Sequence, residues 1–105
     1  MVRYNEKRIP YTLQEKLLDR LCETLVTLKT KEAISDFLKD LLNRQERAML
    51  VRRLLIAQLL IEGVKYRDIQ VRLHCGMSTI ARVERWLHFG RGGYLIALGK
   101  KKSRS

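Results

Sequence analysis

Residues 66–87 read YRDIQVRLHCGMSTIARVERWL, and their apolar spacing is that of two short helices joined by a tight turn. Ile69, Leu73, Cys75, Ile80 and Val83 are the apolar positions, and Gly76 stands between the two helical patterns. Two crossed helices need such a set, because side chains from both must meet in one small core. Gly76 is expected to supply the positive φ or the close approach of the turn. With those residues turned inward, the second helix turns Met77, Ser78, Ala81, Arg82 and Arg85 outward. Small, polar or basic groups of this kind suit a DNA major groove, so the stretch reads as a helix-turn-helix.

Charge agrees with that reading. The chain has 105 residues, with 22 Lys+Arg against 11 Asp+Glu and a formal net charge of +11. On one small domain such an excess favours a polyanion partner, usually nucleic acid; a well-solvated surface or a ribosome-type protein is the plainer alternative. The two cysteines, Cys22 and Cys75, match no CxxC pattern and fall at apolar positions. They read as buried, reduced thiols, which fits a reducing cytoplasm. His74 and His88 have no nearby ligand set, so no metal site is expected. No apolar run approaches the roughly 20 residues that span a bilayer, and MVRYNEKRIP lacks the apolar core of a signal peptide. No membrane partner is expected.

Working outward, nearly the whole chain reads as helix. Residues 12–15 (TLQE) form a capping-box pattern ahead of Leu13, Leu17, Leu18, Leu21, Cys22, Leu25 and Leu28 at helical spacing. Thr30 starts a second helix with Ala33, Ile34, Phe37, Leu38 and Leu41 on its apolar face. Asn43 with Glu46 starts a third, RQERAMLVRRLLIAQLLIEG, which is apolar on more than one stripe and ends at Gly63. After the motif, residues 88–93 (HFGRGG) read as a flexible break, YLIAL as a last turn or two of helix, and GKKKSRS as a basic disordered tail. The domain plan is a basic arm at 1–11, one helical domain at 12–98 and the tail at 99–105. Leucine-rich faces on the first three helices exceed what a small motif covers, which favours a homodimer over a compact monomeric bundle.

LLNRQERAMLVRRLLIAQLLIEG followed by YRDIQVRLHCGMSTIARVERWL resembles the Trp repressor superfamily. The residues that carry the likeness are Leu41, Leu42, Glu46, Arg47, Arg53, Leu59, Leu60, Gly63, Leu73, Gly76, Thr79, Ile80 and Arg82. The turn GVKYRDI and the run RVERWLHFGRGGY are more similar to the YerC/YecD-type Trp-repressor-like proteins of bacteria. The resemblance implies an all-α bundle, an intertwined homodimer and a pair of helix-turn-helix units projecting toward successive major grooves of double-stranded DNA. It implies a transcriptional regulator, a repressor in this family's manner, working in the cytoplasm on the nucleoid.

The same resemblance assigns roles. Arg67 and Gln70 would touch phosphate or groove edges. Lys65, Arg72 and Arg85 would meet phosphates, which set affinity and salt dependence more than sequence choice. Met77, Ser78 and Ala81 match positions that face bases, and Thr79 a position near phosphate. One departure is the turn, where the position usually held by glycine carries His74. In the Trp repressor two arginines sandwich the bound indole; Arg53 and Arg82 match them. The rest of that pocket differs: Asn43 replaces a threonine, Val83 a glycine and Trp86 a serine. Val83 and Trp86 are expected to occlude the space a free tryptophan needs, so no cofactor is assigned and any small-molecule effector is left unknown. Trp86 would pack over the vacated site, or serve as a core or dimer-contact aromatic.

Two other classes stay open. One is the helix-turn-helix subunit of a transposase, which usually carries a coiled-coil zipper where this chain has a glycine-rich break. The other is a helical module that binds nucleic acid or acidic proteins without sequence preference. Catalysis is not expected: the chain shows no nucleophile–base pair, metal-ligand spacing or phosphate-cradling glycine loop.

Overall fold

The computed structural model describes residues 10–99. The arm and tail expected from the sequence lie outside them, apart from Pro10, Tyr11 and Gly99. Six helices and no strand occur among the described residues: α1 (Tyr11–Thr27), α2 (Lys31–Leu41), α3 (Arg44–Ile61), α4 (Tyr66–Leu73), α5 (Met77–Phe89) and α6 (Gly93–Ala97). The chain is all-α, as its periodicity predicts. It divides into two compact units between Leu41 and Leu42, whereas the sequence plan draws one domain over 12–98.

The first unit holds α1 and α2. Neither helix contains a buried residue. The predicted cap at Thr12 does not form. Pro10 is the N-cap of α1, with no side-chain cap bond, and Thr12 sits inside the first turn. Proline at this boundary has its φ already set near helical values and presents its carbonyl to the helix; Leu13 and Gln14 donate to it at 3.0 and 3.1 Å. Cys22 is exposed in the chain, against the expectation of a buried thiol. Thr30 does start α2, its hydroxyl accepting from the Ala33 N–H at 3.0 Å.

The second unit is built on α3. The start signal at its head is fully made: the Glu46 N–H donates to Asn43 Oδ1 at 2.8 Å, and the Asn43 N–H donates to Glu46 Oε1 at 2.9 Å. This reciprocal pair satisfies two backbone donors that the helix itself cannot. The end is equally defined. Gly63 has φ +85°, and the Gly63 and Val64 N–H groups return to the carbonyls of Leu60 and Leu59 at 3.0 and 2.9 Å. A left-handed residue here closes the last turn of a helix, and glycine takes that conformation without a Cβ penalty.

The core of this unit is small and wholly aliphatic. Ile56 and Ala57 of α3, Ile69 of α4, and Ile80 and Val83 of α5 are buried together. Leu59, Leu60, Val64, Tyr66, Leu73, Cys75, Tyr94 and Leu98 pack around them, half-buried. α3 packs against both α4 and α5, these two pack on each other, and α6 folds back on α5. α3 gives this core only Ile56 and Ala57, and Met49, Leu50, Val51, Leu54 and Leu55 along it remain exposed. The break after the motif is shorter than the sequence indicates, because α5 continues through His88 and Phe89 and ends at Gly90. A side chain at Gly90 would run into the Trp86 carbonyl oxygen, which explains a glycine at that stop. YLIAL lies largely in the short helix α6.

Candidate nucleic-acid interface

α4 and α5 form the helix-turn-helix that residues 66–87 predict. Three of its five expected core residues, Ile69, Ile80 and Val83, are buried, and Leu73 and Cys75 are half-buried beside them. The turn works differently from the expectation. Gly76 is the N-cap of α5 in extended backbone, with φ −86° and open space where a Cβ would stand. The left-handed residue is His74, with φ 50° and ψ 52°. The chain reverses two residues earlier than Gly76 suggests, immediately after Leu73, so the reversal falls where the motif ordinarily has its glycine.

Burying Ile80 and Val83 fixes the outward side of α5, because residues about 100° apart on a helix sort into faces. Met77, Ser78, Ala81, Arg82 and Arg85 are all exposed, and Thr79 is half-buried at the edge of that face. On α4, Arg67 and Arg72 are exposed and Gln70 is half-buried; Lys65, the N-cap of α4, is exposed just ahead of it. The sequence-predicted residues are thus gathered on two adjoining helices of one unit. Charge follows the same division. Residues 42–105 hold 14 Lys and Arg against 4 Asp and Glu, whereas residues 1–41 hold 8 against 7. The excess positive charge belongs almost entirely to the unit that carries the motif.

Arg53 and Arg82 meet in a cavity of about 460 Å³, lined also by Met49, Arg52, Thr79, Val83, Trp86 and Tyr94. Val83 and Trp86 stand in its wall; within the chain they leave this space open rather than fill it, and Trp86 is exposed. Asn43, the other changed position, is engaged in capping α3. Arg52, Met49 and Tyr94 were not expected at this site; their approach depends on how α3, α5 and α6 pack.

Sequence reasoning also missed the polar contact inside the motif. The Tyr66 hydroxyl, at the first residue of α4, donates to Glu84 Oε1 on α5. The other carboxylate oxygen lies 3.7 Å from His88 Nε2, one turn along α5. The hydrogen bond to Glu84, with burial and the nearby carboxylate charge, raises the Tyr66 phenol above its usual range. Eighteen residues separate the partners, and neither belongs to a recognisable pattern.

No group of three or more His, Cys, Asp or Glu side chains that could hold a metal ion occurs among the described residues, and no described helix is long and apolar enough to cross a membrane.

Known proteins place this architecture. The chain matches the Trp repressor protein family over residues 16–102. It is 36% identical over 90 residues, 86% of each chain, to the uncharacterized protein YerC of Bacillus subtilis (strain 168). A solved structure of a TrpR-like protein from Eubacterium eligens ATCC 27750 superposes with a TM-score of 0.74 at 28% identity, covering 93% of this chain and 100% of that one. A second, of a Staphylococcus aureus protein, gives a TM-score of 0.74 at 25% identity over 96% of this chain and 100% of that one. With the family model matched over residues 16–102, most of its length, this chain belongs to the Trp repressor family.

Proposed function

We propose that the protein is a sequence-specific DNA-binding transcriptional regulator that acts as a homodimer, with α5 as the groove-entering helix. The observation that carries this reading is the coincidence of three things in one unit: a helix-turn-helix with a closed aliphatic core, an outward face of Met77, Ser78, Ala81, Arg82 and Arg85, and nearly all of the net positive charge. Apolar residues inside the motif hold its helices together. The outward residues are free to meet a ligand, and guanidinium groups meet phosphate with both charge and hydrogen bonds.

In this reading the site residues divide by role. Lys65, Arg67, Arg72 and Arg85 bind phosphates, with Gln70 and Thr79 at the groove edge. Met77 packs on thymine methyls, Ser78 exchanges one hydrogen bond with a base edge, and Ala81 is small enough to let the helix approach. The dimer accounts for α1 and α2, which contain no fully buried residue within the chain. It also accounts for the exposed Met49, Leu50, Val51, Leu54 and Leu55 of α3. Two motifs related by a twofold axis would read a palindromic site. Repression follows if that site overlaps a promoter, and the protein then works in the cytoplasm on chromosomal DNA.

Selection of bound duplexes from a random pool at near-physiological salt tests the whole proposal: recovery of a palindrome supports it, and recovery of no preferred sequence refutes it, leaving an architectural or interaction module. On a recovered site, Arg67→Ala should weaken binding to target and random DNA alike. Met77→Ala should lose about tenfold at particular base pairs, on the order of 1–3 kcal/mol per contact. Equal losses on every sequence for Met77→Ala would remove its base-reading role.

A further inference from the structure

α4 and α5 are fastened at two places. One is covalent: the three-residue turn 74–76 joins the end of α4 to the start of α5. The other is the hydrogen bond from Tyr66, at the opposite end of α4, to Glu84, in the third turn of α5. The two fastenings sit at opposite ends of an eight-residue helix, about 12 Å apart at 1.5 Å per residue. Between them lie only apolar contacts among Ile69, Ile80 and Val83. Such contacts choose which face of α5 turns inward but tolerate a small roll, being individually non-directional, whereas a hydrogen bond weakens steeply when its angle or length departs from the ideal.

We propose that the Tyr66–Glu84 hydrogen bond is a positioning contact that sets the fine rotation of α5 about its own axis, within the face that buried Ile80 and Val83 already choose, and so decides how accurately its outward side chains meet the bases. This inference rests on the reading of α5 as the DNA-contacting helix.

The parts suit that task. The Tyr66 ring is half-buried and packed against the aliphatic core cluster, so the hydroxyl is aimed by the core rather than carried on a free side chain. Glu84 flanks the inward face of α5, next to buried Val83 and one turn after buried Ile80. Its second oxygen lies 3.7 Å from His88 Nε2, one turn along the same helix. Side-chain tips stand about 5–6 Å from a helix axis, so a 20° roll of α5 moves them by about 2 Å. That displacement exceeds the tolerance of a base-edge hydrogen bond, while long, flexible arginines can still follow phosphates. Loss of the contact therefore costs sequence choice and spares nonspecific affinity. A carboxylate inside a basic motif is otherwise a handicap, since it repels phosphate; hydrogen-bonded to Tyr66, it is kept at the helix–helix seam.

The test uses the full chain and the duplex that the wild type enriches from a random pool, with random duplex of equal length as reference. Tyr66→Phe keeps the ring and removes the donor. It should lower the ratio of specific to nonspecific affinity about tenfold, with the salt dependence of nonspecific binding unchanged. Glu84→Gln keeps an acceptor oxygen and should hold the ratio near wild type, although removing a negative charge tightens both affinities together. Glu84→Ala should lower the ratio as Tyr66→Phe does, and the double variant should lose no more than either single one. If Tyr66→Phe lowers the melting temperature but leaves the ratio unchanged well below melting, the contact only stabilises and the positioning role is overturned. A wild type that enriches no duplex overturns the DNA-reading proposal, and the positioning role with it.

Discussion

His74 bears the chain reversal of the motif with a side chain in the left-handed region, the one described non-glycine residue to do so. For an L-residue that conformation brings Cβ toward the carbonyl oxygen and costs on the order of 1–2 kcal/mol. The imidazole is exposed, so nothing in the core depends on it. His74→Gly should therefore stabilise the fold by about 1 kcal/mol, less the extra chain entropy glycine brings to the unfolded state; the midpoint of urea unfolding at constant slope measures it. No gain, or a loss, would show that the histidine makes a contact worth more than its backbone cost. Tyr66 makes a second statement at this scale. Its phenol is raised above the ordinary 10.0 because the neutral form donates to Glu84. Folded protein therefore holds that proton at a pH where unfolded chain has released it. The stabilisation is fully present below about pH 10 and is lost as pH rises through the raised folded value. Urea unfolding between pH 8 and 11 should show stability falling more steeply in the wild type than in Tyr66→Phe. Parallel profiles would mean the proton is not held.

Between elements, the cavity where α3, α5 and α6 meet deserves a chemical reading. Its lining brings three guanidinium groups, from Arg52, Arg53 and Arg82, together with a threonine, two aromatic rings, a methionine and a valine, and it includes no carboxylate side chain. Free tryptophan carries an ammonium as well as a carboxylate, and the ammonium would meet a wall whose charged side chains are all cationic. Calorimetric titration of L-tryptophan should accordingly give no saturable heat; a saturating signal at micromolar concentration would show that the altered pocket still accepts the amino acid. Elements also set the limits of sequence reading. Asn43 and Glu46, Thr30 and Gly63 mark helix ends as their types predict, because capping is settled within a few residues of chain. Thr12 fails by the same logic: the pattern TLQE is present, but α1 already begins at Tyr11 behind Pro10, so the threonine falls within the helix and its capping role disappears.

Across the whole molecule, the distribution of burial is uneven. The aliphatic core lies in the second unit, around the C-terminal half of α3 with α4 and α5, while α1 and α2 bury no residue. Leu13, Leu17 and Leu18 of α1 remain roughly half exposed. Helices whose apolar residues are at most half-buried are marginal in water, since most helix stability in proteins comes from packing an apolar face. A second copy of the chain supplies that packing in the proposed dimer. Sedimentation at micromolar concentration should give twice the chain mass, and Leu17→Glu with Leu18→Glu should shift the population to monomer while lowering α-helical circular dichroism. A wild-type chain that sediments as a folded monomer would leave those leucines without a partner and remove the twofold geometry from the DNA-binding proposal.

The string of residues by itself determined the helical class, the order of the helices, most of their ends, and the motif with its inward and outward faces. Those properties depend on apolar period and on caps, and both are written in neighbours one to four positions apart. The family likeness was legible for the same reason, since its marks lie along one stretch from Leu41 to Arg82. Only the tertiary structure decided that His74 rather than Gly76 takes the left-handed turn, because that choice follows from where α4 must stop to pack Leu73 and Cys75 inward. Only it brought Tyr66 to Glu84, and Arg82 and Tyr94 to Arg52 and Arg53. Contacts between residues far apart in the chain are set by how helices cross, and crossing is the property of packed surfaces that no local pattern encodes.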